Sequence, residues 1–220
     1  MIINIVLLKF IFQEFDKTLF LNSQGGIIIV EDVRFINNQS SNKYDDKLVN
    51  ECFNLRHRVF HKRLNWQVSS YGRQEIDVFD HNRTWYAALE NENHQVVGTW
   101  RALPTTGDYM LKNVFPEMAR GEPLPQSEKI WEISRFAIDK EQRTIPSPGE
   151  YICDESKALI KSFYEFSHKH GIEELVTVTS VAAERMLKRL DVKLRRLGDG
   201  RSKRIGTVQT TAVLIDIPDR

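Results

Sequence analysis

The order in which strand-like and helix-like segments follow one another constrains the fold of this chain more than any other feature. Runs of β-branched and apolar residues predict strands, and apolar residues three or four apart predict helices. Strands are predicted at residues 27–30, 84–89, 95–103, 130–138, 175–179 and 206–217, and helices at 45–60, 150–170 and 181–190. This β-α-β-β-β-α-β-α-β order predicts one α/β domain whose mixed, twisted sheet is flanked by helices.

The first residues differ in character from the rest of the chain. The apolar run from Met1 to Phe12 is interrupted by Lys9 and is too short to span a bilayer. It also lacks the basic region and the small-residue cleavage site of a secretory signal. We therefore expect residues 1–26 to be an N-terminal appendage, either disordered or arising from a non-native start, and residues 27–220 to form the domain. We expect a cytoplasmic protein without a membrane span.

The charge balance excludes a strong overall attraction to nucleic acid, because 31 Lys and Arg face 30 Asp and Glu. The balance is uneven locally, since residues 185–204 hold nine basic and two acidic residues. Arg185 and Arg189 are four residues apart and share a helix face, with Lys188 beside them. This face is predicted to dock an acidic partner; the alternative is a solvated helix face.

Three other features are predicted to be structural. Cys52 and Cys153 match no zinc spacing and are expected to be small buried apolar residues of a reduced protein. His57 and His61 are four residues apart but have no third ligand, so surface histidines are expected and no metal site is predicted. The R-x-x-G-x-G run at 195–200 resembles an acetyltransferase phosphate loop, but no helix is predicted after it, which favours a turn.

The segment from Leu55 to Asp80 carries the most specific pattern. Arg56, Phe60, Arg63 and Trp66 precede a Glu-x-Asp-x-Phe-Asp cluster at 75–80, and two further blocks follow, Gly98-Thr99-Trp100-Arg101 and Trp131-Glu132-Ile133-Ser134-Arg135-Phe136. These blocks resemble the LuxI-type acyl-homoserine-lactone synthases, over residues 27 to the C-terminus. The resemblance implies an acetyltransferase (GNAT)-like three-layer sandwich. It also implies an acyltransferase that makes a quorum-sensing signal.

In that family the α-amine of S-adenosylmethionine attacks an acyl thioester on acyl carrier protein, and the methionine carboxylate then closes the lactone and expels 5′-methylthioadenosine. The resemblance thus implies two substrates, no cofactor, and an acidic carrier protein as partner. Resemblance and charge type assign catalysis to Glu132, Asp80, Asp77, Arg56, Arg135 and Arg101. Glu132 is the preferred base and Asp80 the second candidate, while Asp77 is expected to orient Arg56.

The residues support this assignment on physical grounds. Charges beside apolar strand and helix positions are unfavourable unless paired, so a buried network of acids and arginines is expected. Alternation along the strand places Glu132 and Ser134 on one face and Ile133 and Arg135 on the other. The predicted S-adenosylmethionine site consists of Phe60, Trp66, Arg56, Arg135 and Ser134. Its aromatic rings are expected to stabilise the sulfonium by cation–π attraction.

The acyl chain is expected in an apolar tunnel. Its predicted lining is Trp100, Leu103, Met110, Leu111, Phe115, Phe136 and Thr177, for any of which ordinary core is the alternative. Thr177 occupies a position where the family's threonine accompanies a preference for 3-oxo chains. Two competing functions are an N-acetyltransferase that uses acetyl-CoA and a non-catalytic binding module. The acetyltransferase predicts a glycine-rich phosphate loop after the 130–138 strand, but residues 139–148 contain no glycine.

Overall fold

The structure is a computed structural model that describes residues 18–21, 27–30, 33–143, 145–146, 149 and 151–219. The strands are β1 Thr18–Leu21, β2 Ile27–Val30, β3 Arg34–Asn37, β4 Ser70–Tyr71, β5 Gln74–Glu75, β6 Trp85–Glu90, β7 Val96–Pro104, β8 Ile130–Ile138, β9 Glu174–Ser180, β10 Leu194–Arg196, β11 Lys203–Ile205 and β12 Val208–Asp216. The α-helices are α1 Lys43–Arg56, α2 Met110–Asn113, α3 Asp154–His170 and α4 Val181–Arg189. A π-helix, His57–Arg63, continues α1, and a 3-10 helix spans Pro116–Ala119.

One mixed sheet organises the domain. Its strand order is β10-β12-β9-β8-β7-β6-β3, and β11 also pairs with β12. Neighbouring strands are antiparallel except β8 and β9, which are parallel. The parallel register runs only from Ile130 and Glu174 to Glu132 and Val176, although both strands continue further. The sheet therefore opens between β8 and β9 at its middle.

Helices cover both faces of this sheet, which makes the three-layer α/β sandwich that the sequence predicts. On the front face, Leu48, Val49 and Cys52 of α1 pack with Tyr86 and Ala88 of β6. On the back face, the apolar side of α3 packs against Trp100 and other residues of the central strands, and Leu187 of α4 joins them. A second front cluster, near the β8–β9 opening, includes Phe79, Leu103, Leu111, Val176 and Leu197.

Most predicted elements are confirmed to within a few residues, because long periodic segments dominate the core. The sequence missed the short strands β3, β10 and β11, which lie toward the edges of the sheet, and the hairpin of β4 and β5. The predicted first strand forms a separate two-stranded pair with β1 rather than part of the main sheet. Most of residues 1–26 lie outside the described residues, so their assignment as an appendage stays a prediction.

In the described part of the chain, every helix is too short or too polar to cross a membrane.

Candidate functional site

A β-bulge in β8 creates the geometry of the site. Thr99 pairs with Ala137 and Arg101 with Ser134, so β8 inserts one residue more than β7 between these pairs. Arg135 adopts a left-handed backbone with φ 57°, which is uncommon for a residue with a side chain. The expectation that Arg135 shares the face of Ile133 is therefore wrong. The bulge turns Arg135 to the front, where it contacts the acids that also bind Arg56 and Arg101.

We call the front cluster of Arg56, Glu75, Asp77, Asp80, Arg101 and Arg135 the charged belt. Its side chains come from α1, β5, the loop after β5, β7 and β8, and none has a side chain more than 12% exposed. Three guanidinium groups balance three carboxylates, which is the arrangement that makes buried charge tolerable. The network expected from the sequence is thus assembled in one place.

Asp80 lies at the centre of the charged belt. Its carboxylate accepts hydrogen bonds from Nη1 and Nη2 of Arg56 at 2.7 and 2.8 Å, from Nη1 of Arg101 at 3.0 Å and from the Tyr86 hydroxyl at 2.9 Å. Burial opposes ionisation, but Arg56 and Arg101 outweigh it and hold the pKa of Asp80 well below its usual range. Asp80 therefore stays ionised and binds protons weakly near neutral pH.

Glu75, and not Asp77, is the partner of Arg56 besides Asp80. Asp77 was predicted to orient Arg56, but it binds Nη1 of Arg101 at 2.5 Å and Nη2 of Arg135 at 2.7 Å. Glu75, which sequence reasoning did not place in the site, binds Nε of Arg56 at 2.5 Å and Nε of Arg135 at 3.1 Å and is fully buried. Its position in the Glu-x-Asp cluster was the available signal.

Arg101 offers an open hydrogen-bond donor. Its Nε donates to Ser134 Oγ at 3.1 Å and its Nη1 to Asp77 and Asp80. Its Nη2, although buried, has no partner among the described residues. The guanidinium carbon lies 5.5 Å from the ring centre of Phe79. A buried N–H without an acceptor is unfavourable, so this atom is suited to bind an oxygen of a ligand.

Glu132 lies beside the charged belt but is held differently. Its two carboxylate oxygens accept hydrogen bonds from the backbone N–H groups of Met110 and Leu111, each at 2.7 Å. Burial raises the pKa of Glu132 to about 7, although these amides and the charges of Arg101 and Arg135 oppose the shift. Each carboxylate oxygen keeps a second lone pair. Glu132 is therefore able to exchange a proton near neutral pH.

The two predicted aromatic residues lie together at the edge of this region. Phe60 and Trp66 stack with ring centres 5.2 Å apart and planes 20° from parallel. The guanidinium carbon of Arg135 lies 5.6 Å from the centre of the Phe60 ring. Phe60 is buried, whereas Trp66 is 40% exposed. Of the two rings, Trp66 is therefore the more accessible to a cation.

Known proteins are similar to this chain over most of its length. The family model described as autoinducer synthase matches residues 38–220. The chain belongs to the autoinducer synthase family. An acyl-homoserine-lactone synthase of Aliivibrio fischeri is 38% identical over 166 residues, 76% of this chain and 84% of that protein. One from Pseudomonas aeruginosa is 37% identical over 177 residues, 80% and 85% of the two chains. This autoinducer synthase is accordingly an enzyme, an acyltransferase.

Solved structures agree with this assignment. The AHL synthase LasI superposes with a TM-score of 0.72 at 34% identity, covering 84% of this chain and 89% of LasI. TofI, solved in a ternary complex with an inhibitor and MTA, superposes with a TM-score of 0.71 at 27% identity, covering 85% and 92%. A Lactobacillus plantarum protein assigned as an N-acetyltransferase shares the fold, with a TM-score of 0.54 at 15% identity and coverage of 86% and 100%. The acetyltransferase-like architecture of this autoinducer synthase is thus confirmed.

The residues predicted to line an acyl tunnel divide between the two faces of the sheet. Leu103, Met110, Leu111 and Phe115 belong to the second front cluster. Trp100 and Phe136 pack on the back face. Thr177 of β9 lies opposite Val213 of β12, and its side chain is therefore on the same back face as that of Val213. A single tunnel contacts both groups only if it passes through the sheet. The opening between β8 and β9 is the place where that is possible.

The predicted docking residues lie on one exposed face of α4, but they are not equally available. Lys188 is bound to the buried Glu184 at 2.8 Å, and the guanidinium carbon of Arg189 lies 5.5 Å from the centre of the Tyr151 ring. Arg185 is exposed and has no ion pair among the described residues. The basic character of the face is therefore carried chiefly by Arg185 and Arg189.

The structural predictions have mixed outcomes. Both cysteines are buried and free, as expected. His61 is exposed, but His57 is 5% exposed, so the prediction of two surface histidines is wrong for His57. His57 is the first residue of the π-helix, and its ring stacks on that of His61 with ring centres 4.9 Å apart. The R-x-x-G-x-G run comprises the last two residues of β10 and the start of the turn that leads to β11, so the predicted turn is confirmed for its second part. No cluster of potential metal ligands occurs among the residues that the structure describes.

Proposed function

We propose that this protein transfers an acyl group from the thioester of an acyl carrier protein to the α-amine of S-adenosylmethionine and then closes the homoserine lactone. The observation that carries the proposal is the contrast within one buried site. The paired arginines and carboxylates of the charged belt lie beside Glu132, a carboxyl group whose pKa burial raises to about 7. Such a site is suited to bind a zwitterion and to remove a proton from it.

Glu132 is the general base in this proposal. The amine of S-adenosylmethionine must lose a proton before its lone pair attacks the thioester carbon. A base with a pKa of about 7 is matched to this task near neutral pH. Asp80 is the weaker candidate, because Arg56 and Arg101 keep its pKa far below neutral. The proton reaches Glu132 directly or through one water molecule.

The charged belt and the aromatic pair hold the rest of S-adenosylmethionine. Arg56 and Arg135 anchor the acids of the belt, and the open Nη2 of Arg101 is available for an oxygen of the methionine carboxylate. Ser134, which accepts a hydrogen bond from Arg101, fixes that guanidinium. The exposed ring of Trp66, supported by Phe60, attracts the sulfonium through its π face.

The acyl thioester enters through the opening between β8 and β9. Pairing of β8 with β9 ends at Glu132 and Val176, so the edge of β8 beyond Glu132 faces the opening, and a backbone N–H of this edge stabilises the oxyanion of the tetrahedral intermediate in this proposal. Collapse of this intermediate forms the amide bond and expels the thiolate. The acyl chain then lies among the apolar residues on either side of the opening, with Thr177 positioned to bind a 3-oxo group.

Lactone closure requires positioning more than acid–base chemistry. The methionine carboxylate oxygen attacks the γ-carbon, the C–S bond breaks, and sulfur keeps the electron pair, so 5′-methylthioadenosine leaves as a neutral thioether. The sulfonium is already a good leaving group. The role of the charged belt in this step is to hold the carboxylate in line with the C–S bond.

A carrier protein is proposed as donor because its acidic surface complements Arg185, Lys188 and Arg189. The first turn of α3, which follows β8, carries Asp154 and Glu155 rather than a glycine-rich loop for a CoA pyrophosphate. The donor nevertheless has to be tested directly, since BjaI, a structural relative at 24% identity with a TM-score of 0.73, is described as CoA-dependent.

The deciding experiment supplies S-adenosylmethionine with matched acyl-carrier and acyl-CoA thioesters of several chain lengths. We expect 5′-methylthioadenosine and an acyl-homoserine lactone, identified by mass, with the carrier thioesters preferred. Glu132→Gln serves as the matched inactive control. Lactone formation with CoA thioesters alone would contradict the donor assignment, and absence of lactone with every donor would contradict the function.

A further inference from the structure

The end of β10 and the turn that follows it bind the side-chain carboxylate of Glu122. Both oxygens of Glu122 accept hydrogen bonds from Arg195, at 2.7 and 2.9 Å, and one also accepts from the backbone N–H of Gly198 at 2.8 Å. The other side of the turn is fixed as well, because Arg196 donates to the buried Glu184 of α4. We call Arg195 and the backbone N–H of Gly198, which together bind the Glu122 carboxylate, the cradle.

Gly198 allows the turn to lie very close to the backbone of residues 119–120. A Cβ atom added there would lie 2.3 Å from the carbonyl oxygen of Arg120 and 2.6 Å from that of Ala119. Gly198 has φ +54°, whereas Gly200, in the same turn with φ +71°, would meet nothing within 4 Å. The turn therefore presses directly on the chain at residues 119–120 and binds Glu122 next to it.

The chain held by this turn is the segment that binds Glu132. Residues 105–129, which we call the connecting segment, join β7 to β8 and include α2. The amides of Met110 and Leu111 that hold Glu132 lie near one end of the segment, and Glu122 lies near the other. The side chains of Leu111 and Met118, both in the connecting segment, pack in the same apolar cluster as Leu197 of the turn. Turn, segment and Glu132 form one continuous packed unit.

We propose that Glu122, held by Arg195 and Gly198, is a positioning residue for the reaction, because it sets the place of the connecting segment whose amides bind Glu132. The proposal rests on the proposed function for its catalytic consequence. Arg101 from β7 and Arg135 from β8 also act on Glu132 and lie outside the connecting segment, whereas Tyr109, which also faces Glu132, belongs to the segment and moves with its amides. Weaker amide contacts therefore have one expected effect, a higher pKa of Glu132.

The test compares Gly198→Ala with Gly200→Ala, two substitutions at positive φ of which only the first collides with the connecting segment. The Glu132 carboxyl is titrated by NMR in protein carrying ¹³C-labelled glutamate, with its signal assigned by its loss in Glu132→Gln. We expect Gly198→Ala to raise the titration midpoint by about 0.5 pH unit or more and Gly200→Ala to leave it unchanged. The acid limb of the kcat profile is expected to move with the midpoint.

Glu122→Gln is the second variant, since it removes the charge from the cradle without adding volume and is therefore compatible with folding if Gly198→Ala is not. We expect the same upward shift, smaller in size, and recovery with Glu122→Asp. A wild-type midpoint in both Glu122→Gln and Gly198→Ala would overturn the proposal, as would a shifted midpoint without a shifted kcat profile. The NMR titration needs no substrate, so it remains decisive even if the lactone assay fails.

Discussion

The front and back faces of the central strands are built from neighbouring residues and have opposite chemistry. Trp100 and Arg101 are adjacent in β7 and both are fully buried. On the back, Trp100 donates to Ser162 Oγ at 2.9 Å and meets Phe163 and Phe166 edge-on. On the front, Arg101 is enclosed by carboxylates. One strand thus contributes to an aromatic core and to the charged belt.

This difference separates residues that stabilise the fold from residues that serve function. Aromatic side chains gain free energy when they leave water, whereas buried ion pairs roughly break even against apolar replacements of similar size. The charged belt is therefore not needed for stability, although removal of one partner leaves the others uncompensated. The Nη2 of Arg101, which has no partner in the described part of the chain, and the raised pKa of Glu132 are the features on which the proposed binding of S-adenosylmethionine and proton transfer rest.

The largest expected effect concerns Glu132, the front residue that we propose as the general base. Glu132→Gln removes the proton acceptor and is expected to lower kcat by ~10²–10⁴ with little change in KM for S-adenosylmethionine. Steady-state assays of lactone formation measure it. Glu132→Asp, which keeps the charge but withdraws it by one methylene, is expected to fall between. Turnover near wild type in Glu132→Gln would remove Glu132 as the base.

The raised pKa of Glu132 also predicts how stability depends on pH. Since its folded-state pKa is about 7 against 4.5 for the ordinary group, its contribution to the free energy of unfolding falls as pH rises from about 4.5 to 7. Asp80 is ionised throughout this window and contributes no slope. Urea denaturation at several pH values is expected to show a steeper fall for wild type than for Glu132→Gln; equal slopes would contradict the shift.

The adjacent pair in β7 tests the comparison most directly. Arg101→Gln leaves Asp77 and Asp80 undercompensated and is expected to lower the free energy of unfolding by about 3–5 kcal/mol and to abolish activity. Trp100→Phe loses one hydrogen bond and some packing, with an expected loss of about 1–3 kcal/mol and retained activity. Denaturation and lactone assays on both variants provide the measurement. Loss of activity in a folded Trp100→Phe protein would contradict the assignment of the back face to stability alone.

Trp66 tests the outer edge of the front face. Trp66→Ala removes a π surface for the sulfonium and is expected to weaken S-adenosylmethionine binding by about 2- to 30-fold, measured by calorimetry. Trp66→Phe keeps an aromatic ring and is expected to bind more tightly than Trp66→Ala. Equal affinities in wild type and Trp66→Ala would refute the sulfonium contact.

The smallest effect is expected on the exposed face of α4. Arg185→Glu combined with Arg189→Glu reverses the charge of the proposed docking face and is expected to raise KM for carrier thioesters by about 3- to 10-fold, less so at high salt. Lys43→Glu combined with Lys47→Glu makes the same change of charge on α1 and is the control. An unchanged KM would place the docking surface elsewhere.

The site could be predicted from the sequence as a set of residues but not as a set of contacts. The blocks at 55–80, 98–101 and 131–136 identified the family and nearly all of the charged belt. Arg135 was assigned to the wrong face because strict alternation does not predict a bulge. Glu75 received no role, because the sequence of the cluster does not show which of its acids is buried between Arg56 and Arg135. The expected partner of Asp77 was Arg56, but its observed partners are Arg101 and Arg135. Pairing between segments far apart in the chain depends on how α1 and β5 pack.

The amino-acid sequence by itself determined the layered α/β architecture, the family and the identity of the charged residues, because periodicity and spacing are local properties. Only the tertiary structure decided that Arg135 faces front, that Glu132 is held by amides while Asp80 is held by arginines, and that the R-x-x-G-x-G turn binds Glu122. Those outcomes depend on burial and on partners far apart along the chain, and it is burial and partners that determine which carboxyl group titrates near pH 7.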